Sequence, residues 1–341
     1  MPCTVARCCL LFFGCAAWLV ACNNTTPATA PDTEKPVDAK VARLKIPDGF
    51  KAEHLFGASA HDEGSWVAMT FDDKGRLIAS DQYGALYRMV IPAIGDTTAK
   101  IKVEELSIPQ TGQKAGSSAK KIDIGYAHGL LYAFNSLYVM INHNSDSAFS
   151  KGSGLYRLQD TDGDDQYDKI TLLKKLEGEG EHGPHSIVLS PDKKSLFVIA
   201  GNFTKLPEMN SRRKPFDSQL DNIYPLLKDP NGHDNGVNIH GGWIAQVDSA
   251  GQRWELFSSG FRNPFDLAFN EAGDMFTYDS DMEWDIGTPW YRPTRVCHVT
   301  SGSEFGWRPG SNKWSPVWPD NSPALLNIGQ GSPTNLVYGG N

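Results

Sequence analysis

The sequence predicts an all-β protein, and within that class a β-propeller, on three observations. Short apolar segments recur at even spacing, turns containing Gly, Asp or Asn separate them, and no segment carries the apolar period of an amphipathic helix. Composition agrees: 33 Gly and 21 Pro in 341 residues fall in turn-like clusters, and 40% hydrophobic with 21% charged residues suffices for a core. The formal charge of −8, with no basic run, argues against nucleic-acid binding through phosphate neutralisation.

Residues 1–22 read as an export signal. They hold five of the six cysteines, Cys3, Cys8, Cys9, Cys15 and Cys22, and one cation, Arg7, ahead of a short apolar run. The run is too short for a bilayer span and has the layout of a secretory signal. Its end, Leu19-Val20-Ala21-Cys22, resembles a bacterial lipobox in which the Cys22 thiol receives the lipid; the alternative is an ordinary cleaved signal with an incidental Cys. The lipoprotein reading predicts a folded domain anchored to the membrane of a bacterial cell envelope, in the periplasm or at the surface. Only Cys22 and Cys297 then remain, so Cys297 reads as a buried apolar filler, and no Cys-x-x-Cys-His run exists to attach a haem. Residues 23–44, rich in Thr, Pro and Ala, read as a flexible tether.

From residue 45 the units begin. Residues 65–71, 76–81 and 85–90 read as strand, turn, strand, turn, strand, with Gly75 and Gly84 in the turns. The pattern returns at residues 129–140 and 154–158. It returns again at 185–190 and 195–200 with an outer strand at 242–247, and at 264–269 and 274–279 with an outer strand at 294–299. Tandem units of this kind stack around an axis as blades, because a single small sheet cannot bury both of its faces. A β-sandwich is the competing architecture. A fifth unit opens at residues 331–339, so the chain reads as an incomplete ring of about four blades plus the start of a fifth, a fragment of a larger propeller. Residues 205–238 are long for a blade connection and read as an insertion or a lid. Trp307, Trp314 and Trp318 read as a sugar-stacking surface or as cover for a core edge.

Three segments carry a resemblance: Gly-Glu-His-Gly-Pro-His from Gly180 to His185, Arg262-Asn263-Pro264-Phe265-Asp266, and Gly-Ser-Glu-Phe-Gly-Trp from Gly302 to Trp307. Over roughly residues 46–341 the chain resembles the glucose/sorbosone dehydrogenase family. It is more closely similar to the "membrane-bound dehydrogenase" propeller lipoproteins of environmental bacteria. The resemblance implies a six-bladed propeller, a sugar or alcohol substrate, a cytochrome or quinone acceptor downstream, and pyrroloquinoline quinone (PQQ) held by Ca²⁺. It places His182 as the general base and Glu181 as its acidic partner. Arg262 falls at the cation that faces the quinone oxygen, Asn263 at a neighbouring cofactor contact, and His128 near the substrate funnel. Asp279, Asp281 and Glu283 fall where Ca²⁺ ligands lie, here with carboxylates in place of backbone carbonyls. A base near neutral pKa suits proton removal from a hydroxyl during hydride loss. The family's remaining cofactor cations come from blades five and six, which this chain does not reach. Arg262 as a salt bridge between blades, and His185 as a satisfied residue beside a strand, are the structural alternatives.

Residues 160–168 form an independent motif. Asp160, Asp162, Asp164, Gln166 and Asp168 supply oxygens at alternate positions, as a Ca²⁺ loop does, although the Gly placement and the missing Glu depart from the EF-hand. A solvated hairpin turn is the alternative. Function therefore divides three ways: a quinone-dependent sugar or alcohol oxidoreductase, a Ca²⁺-stabilised propeller that binds glycans or proteins without catalysis, or a metal-dependent lactonase-type hydrolase.

Overall fold

The structure, a computed structural model, describes residues 38–96, 100–106, 124–144, 151–211, 227–228, 240–280, 282–285 and 288–339. Cys22 and its signal segment, most of the tether, most of residues 205–238, and Asp281 lie outside the described residues. The chain divides into two compact units, Met1–His54 and Leu55–Asn341. In the first, a 3-10 turn at Val41–Arg43 follows Asp38, whose carboxylate accepts from the Lys40 backbone N–H at 2.7 Å and lies 3.0 Å from His54 Nδ1.

The second unit is a β-propeller of four blades. Blade 1 comprises β1 (Trp66–Phe71), β2 (Leu77–Asp81), β3 (Leu86–Met89) and β4 (Val103–Leu106). Blade 2 comprises β5 (Ala127–Ala133), β6 (Ser136–Ile141), β7 (Gly154–Gln159) and β8 (Lys169–Lys175). Blade 3 begins with β9 (Pro184–Leu189) and β10 (Ser195–Ala200). After the short edge strand β11 (Asn210–Ser211) it continues through β12 (Gly242–Asp248) and β13 (Trp254–Phe261). Blade 4 begins with β14 (Leu267–Phe269) and β15 (Met275–Asp279). A hairpin of β16 (Met282–Asp285) and β17 (Thr288–Arg292) precedes its third strand, β18 (Thr294–Val299). Then β19 (Ser303–Glu304) pairs parallel with β13, and β20 (Leu326–Gly329) closes the blade.

Each blade thus has four antiparallel strands, one more than the sequence pattern predicts. The segments expected as outer strands, residues 242–247 and 294–299, are third strands. The outer strands β4, β8 and β20 give weak signals because they are only partly covered and carry mixed polar residues. Residues 331–339, expected to open a fifth blade, form no strand. Val337 and Tyr338 there are 80% and 45% exposed, without the burial that a blade's first strand gains from its neighbours.

Second strands show why the repeats read as apolar runs rather than as alternation. In β6, Leu137, Val139 and Ile141 face the core shared with blade 1, while Tyr138 and Met140 face the core shared with blade 3. In β10, Leu196, Val198 and Ala200 face blade 2, while Phe197 and Ile199 face blade 4. A strand buried on both faces needs apolar side chains at odd and even positions. Each fully buried Leu, Ile or Val contributes about 1.5–3 kcal/mol. Cys297 is buried in the last of these cores, as expected of an apolar filler, and burial pushes its thiol up to about 12.

Along the unit, β1 packs on β5, β5 on β9 and β9 on β14. The starts of these first strands meet at one end: Ser80 Oγ donates to Ala127 O, His128 meets His185, and His185 meets Asn263. Residues 126–128, 181–185 and 262–265 therefore gather from three blades onto one face.

Candidate functional site

That face is built by a device repeated in every blade. At the end of each second strand a short polar side chain reaches back to the start of a first strand. In blade 1 the residue is Asp81, which accepts from the Ser65 N–H at 2.8 Å. In blade 2 it is Asn142, whose Nδ2 donates to Gly180 O at 2.8 Å and lies 3.0 Å from His128 Nδ1. In blade 3 Asn202 Oδ1 sits 2.6 Å from His182 Nδ1. In blade 4 Asp279 accepts from the backbone N–H groups of Arg262 and Asn263, both at 2.8 Å. A lone Asn or Asp after a strand looks like any turn residue, so Asn142 and Asn202 carry no sequence signal alone; their equivalent place in successive blades is the signal.

His182 is buried, with the Phe203 ring tilted against it at 4.4 Å between ring centres. Its Nδ1 partner is Asn202, where the resemblance implies Glu181. The Glu181 side chain is exposed; its backbone carbonyl instead accepts from Asn263 Nδ2 at 3.1 Å. An amide oxygen fixes the Nδ1–H tautomer and leaves the ring lone pair on Nε2. The geometry allows no side chain at Gly201: a Cβ there would lie 2.5 Å from His182 O and 2.6 Å from Asn263 Oδ1.

His185 is fully buried, more so than its expected place beside a strand. Its Nε2 lies 2.8 Å from Asn263 Oδ1, and Phe265 stacks on the ring at 4.3 Å between centres. Burial above all, with His128 and His182 nearby, pushes His185 down to about 3 against the opposing bond to Asn263. His128 is half-buried, and burial lowers it too. In both, burial favours the neutral ring.

Arg262 is half-buried and has no carboxylate partner among the described residues; its Nη1 donates to Ser280 Oγ at 3.0 Å. The salt bridge between neighbouring segments is made instead by Arg295, whose Nη2 lies 2.9 Å from Asp279 Oδ2. Although burial opposes its charge, the Asp279 carboxylate beside it holds the Arg295 guanidinium above its ordinary range. Asp279 is fully buried and both oxygens are committed to these donors, which corrects its expected role as a direct metal ligand. Asp281 and the Glu283 side chain lie outside the described residues.

In the acidic loop, Asp160, Asp162 and Asp164 bring one carboxylate oxygen each to within 4.8 Å of one another. Desolvation raises Asp162, and the charges of Asp164, Asp168 and Asp160 raise it further. Asp168 is turned away to Thr161, and Gln166 Nε2 donates to Glu104 Oε1 at 2.9 Å. Asp165, which the alternate spacing passes over, clamps blade 2 to blade 1. It accepts from Arg76 Nη1 at 2.6 Å, Arg76 Nη2 at 2.7 Å and Lys74 Nζ at 2.7 Å. Of the tryptophans, Trp307 and Trp314 are buried, and Arg308 lies 4.5 Å over Trp314, so these two cover a core edge.

No protein-family model matches the chain, and no curated protein matches it. Among solved structures it is similar to the PQQ-bound aldose sugar dehydrogenase of Streptomyces coelicolor, at 14% identity over 81% of this chain and 72% of that one, with a TM-score of 0.49. It is also similar to a putative oxidoreductase (glucose dehydrogenase) of Thermus thermophilus, at 17% identity over 79% and 72%, with a TM-score of 0.49. The pyranose dehydrogenase PQQ domain of Coprinopsis cinerea follows at 12% identity over 76% and 58%, with a TM-score of 0.40. These likenesses concern the path of the chain; the propeller assignment rests on the strand pairing and shared cores.

Proposed function

We propose that this propeller is an oxidoreductase that removes hydrogen from a sugar or related alcohol at the face carrying His182 and Arg262. The observation that carries the reading is a half-buried guanidinium with no carboxylate partner among the described residues, Arg262, gathered onto the same face as a tautomer-fixed imidazole, His182. The residues fit a flat, anionic, carbonyl-rich cofactor such as PQQ: Arg262 would supply positive charge where negative charge develops, and Asn263 and His128 would help to hold it. PQQ, when bound, supplies the acceptor for the hydride or its electron pair. The chain supplies the rest: His182 takes the hydroxyl proton at Nε2, Asn202 holds the ring in that tautomer, and the Gly201 gap lets the two loops close on each other.

We assign Ca²⁺ to the Asp160, Asp162 and Asp164 carboxylates as a structural ion, and the anchor to a lipid on Cys22. Detergent-phase partitioning of the native chain against Cys22→Ser tests the anchor; equal partitioning would remove it.

The experiment for the activity is PQQ-dependent dye reduction with a panel of aldoses and alcohols. His182→Ala should lose about 10²-fold or more of turnover, the usual worth of a general base. Arg262→Gln should lose a similar factor. Turnover unchanged in both variants would overturn the assignment. One observation favours a second reading, a glycan-binding propeller. A cavity of about 500 Å³ between blades 3 and 4, on the opposite end, has Phe257 and Phe269 in its wall with Asp192 and Asp274. Glycan-array binding lost in Phe257→Ala, in the absence of any redox turnover, would support it.

A further inference from the structure

Two imidazoles on this face point at each other. His128 Nδ1 and His185 Nδ1 lie 3.5 Å apart, with ring centres 5.7 Å apart and ring planes only 7° from parallel. The centres are farther apart than the nitrogens by about two ring radii, so the rings lie edge to edge and the two Nδ1 atoms face each other along the line joining them. Phe265 spans the faces of both rings, at 4.3 Å from His185 and 6.0 Å from His128.

Proton bookkeeping then follows from the amides. Asn263 Nδ2 donates to Glu181 O, so its Oδ1 is an acceptor and His185 must carry its proton on Nε2. His185 Nδ1 is therefore a bare lone pair in a fully buried place. A second lone pair facing it would leave His185 Nδ1 desolvated and unpaired, which is costly. The group that faces it on that line is His128, at 3.5 Å.

We propose that His128 is a second proton acceptor of this face and that His185 is its positioning residue: His128 donates Nδ1–H to His185 Nδ1, which leaves His128 Nε2 as the base. His128 is half-buried, and its Nδ1 is the inner end, bounded by the buried Asn142 and His185, so the accessible edge is the opposite one, carrying Nε2. The ligand class is a neutral polyol or sugar hydroxyl. Its O–H bond breaks as the N–H bond forms at Nε2, and the imidazolium charge spreads toward His185. The titratable groups around the pair are His182 and Asp266, which hydrogen-bonds Ser186 beside His185 and is itself raised by burial, with Arg262 adjoining Asn263. The substrate class rests on the oxidoreductase reading above; the tautomer does not.

Asn142 is the competitor for the same nitrogen. Were its Nδ2–H, 3.0 Å away, the donor to His128 Nδ1, His128 would carry its proton on Nε2 and could not act as a base. Long-range proton–nitrogen NMR of the full chain with labelled histidine separates the two without cofactor or substrate. The expected result is a protonated-type Nδ1 and a bare-type Nε2 for His128, with the reverse for His185. Replacing Asn263 by Leu should shift the His128 signals although the two residues do not touch, and Asn263→Asp, which keeps the acceptor, should restore them. A bare Nδ1 on His128, or a His128 spectrum indifferent to Asn263→Leu, would overturn the proposal. The tautomers are read on the unaltered chain, so the test survives a variant that fails to fold. In a chain that turns over, His128→Gln should lose about 10²-fold of turnover. Absence of turnover in the native chain would sink the oxidoreductase reading and leave the tautomer assignment standing.

Discussion

Asp165→Asn is the sharpest test of how the blades hold together. The carboxylate of Asp165, in the loop of blade 2, accepts two N–H bonds from Arg76 and one from Lys74 in blade 1, and Arg88 Nη1 donates to its backbone carbonyl at 2.9 Å. Arg76 and Arg88 side chains are 17% and 6% exposed, while Asp165 is 37% exposed. Breaking a buried ion pair costs about 3–5 kcal/mol and breaking an exposed one about 0–1. This half-covered clamp falls between, at about 1–3 kcal/mol, or a melting temperature lower by about 3–8 °C for a domain of this size. The pH dependence follows from the direction of the shift. Bonds from Arg76 above all, then Lys74, with the Arg88 charge, hold Asp165 well below the ordinary carboxylate range. The stabilisation is therefore full above the unfolded-state value of about 3.9 and is lost as pH falls from there toward the lower folded value. Thermal melts of both proteins at pH 7, 5, 4 and 3 should show a constant gap down to about pH 4 and a narrowing one below it. Melting temperatures within about 1 °C at pH 7 would refute the clamp.

Three further expectations are direct. Gly201→Ala places a Cβ against the fixed carbonyl of His182 and should lower stability by about 1–3 kcal/mol, the usual cost of overpacking, as read by urea unfolding. Ca²⁺ should raise the melting temperature in a way that EGTA reverses and Asp162→Asn weakens, since removing one of three crowded carboxylates removes both ligand and repulsion. Cys297, buried and with its thiol pushed up to about 12, should resist a thiol reagent in the native protein and react at once in denaturant.

The blades were legible because their second strands are apolar on both faces, a signal that survives without any knowledge of neighbours. Outer strands were not: β8 and β20 show mixed, partly exposed side chains whose pairing depends on the strand beside them. At the site, His182, Arg262, Asn263 and His128 were found through motif resemblance, and the fold brings them to one face. The motif also suggested the wrong neighbour for His182, since Glu181 adjoins it in sequence and points outward, whereas Asn202 lies a full hairpin away. His185 reads from sequence as a residue beside a strand because its partner, His128, belongs to another blade and the pairing exists only once β5 and β9 pack.

The polar residue that ends each second strand is a carboxylic acid in blades 1 and 4, Asp81 and Asp279, and an amide in blades 2 and 3, Asn142 and Asn202. The two chemistries have the same shape and differ by one oxygen against one NH₂. Asn142 must donate to Gly180 O and Asp279 must pair with Arg295, so the exchange is open at Asn202, whose oxygen alone meets His182. Asp in place of Asn202 would set a negative charge against His182 and favour its protonated form, turning a proton acceptor into a donor. At that one position the acid–base character of the face is set apart from the scaffold, and a single codon change moves between the two.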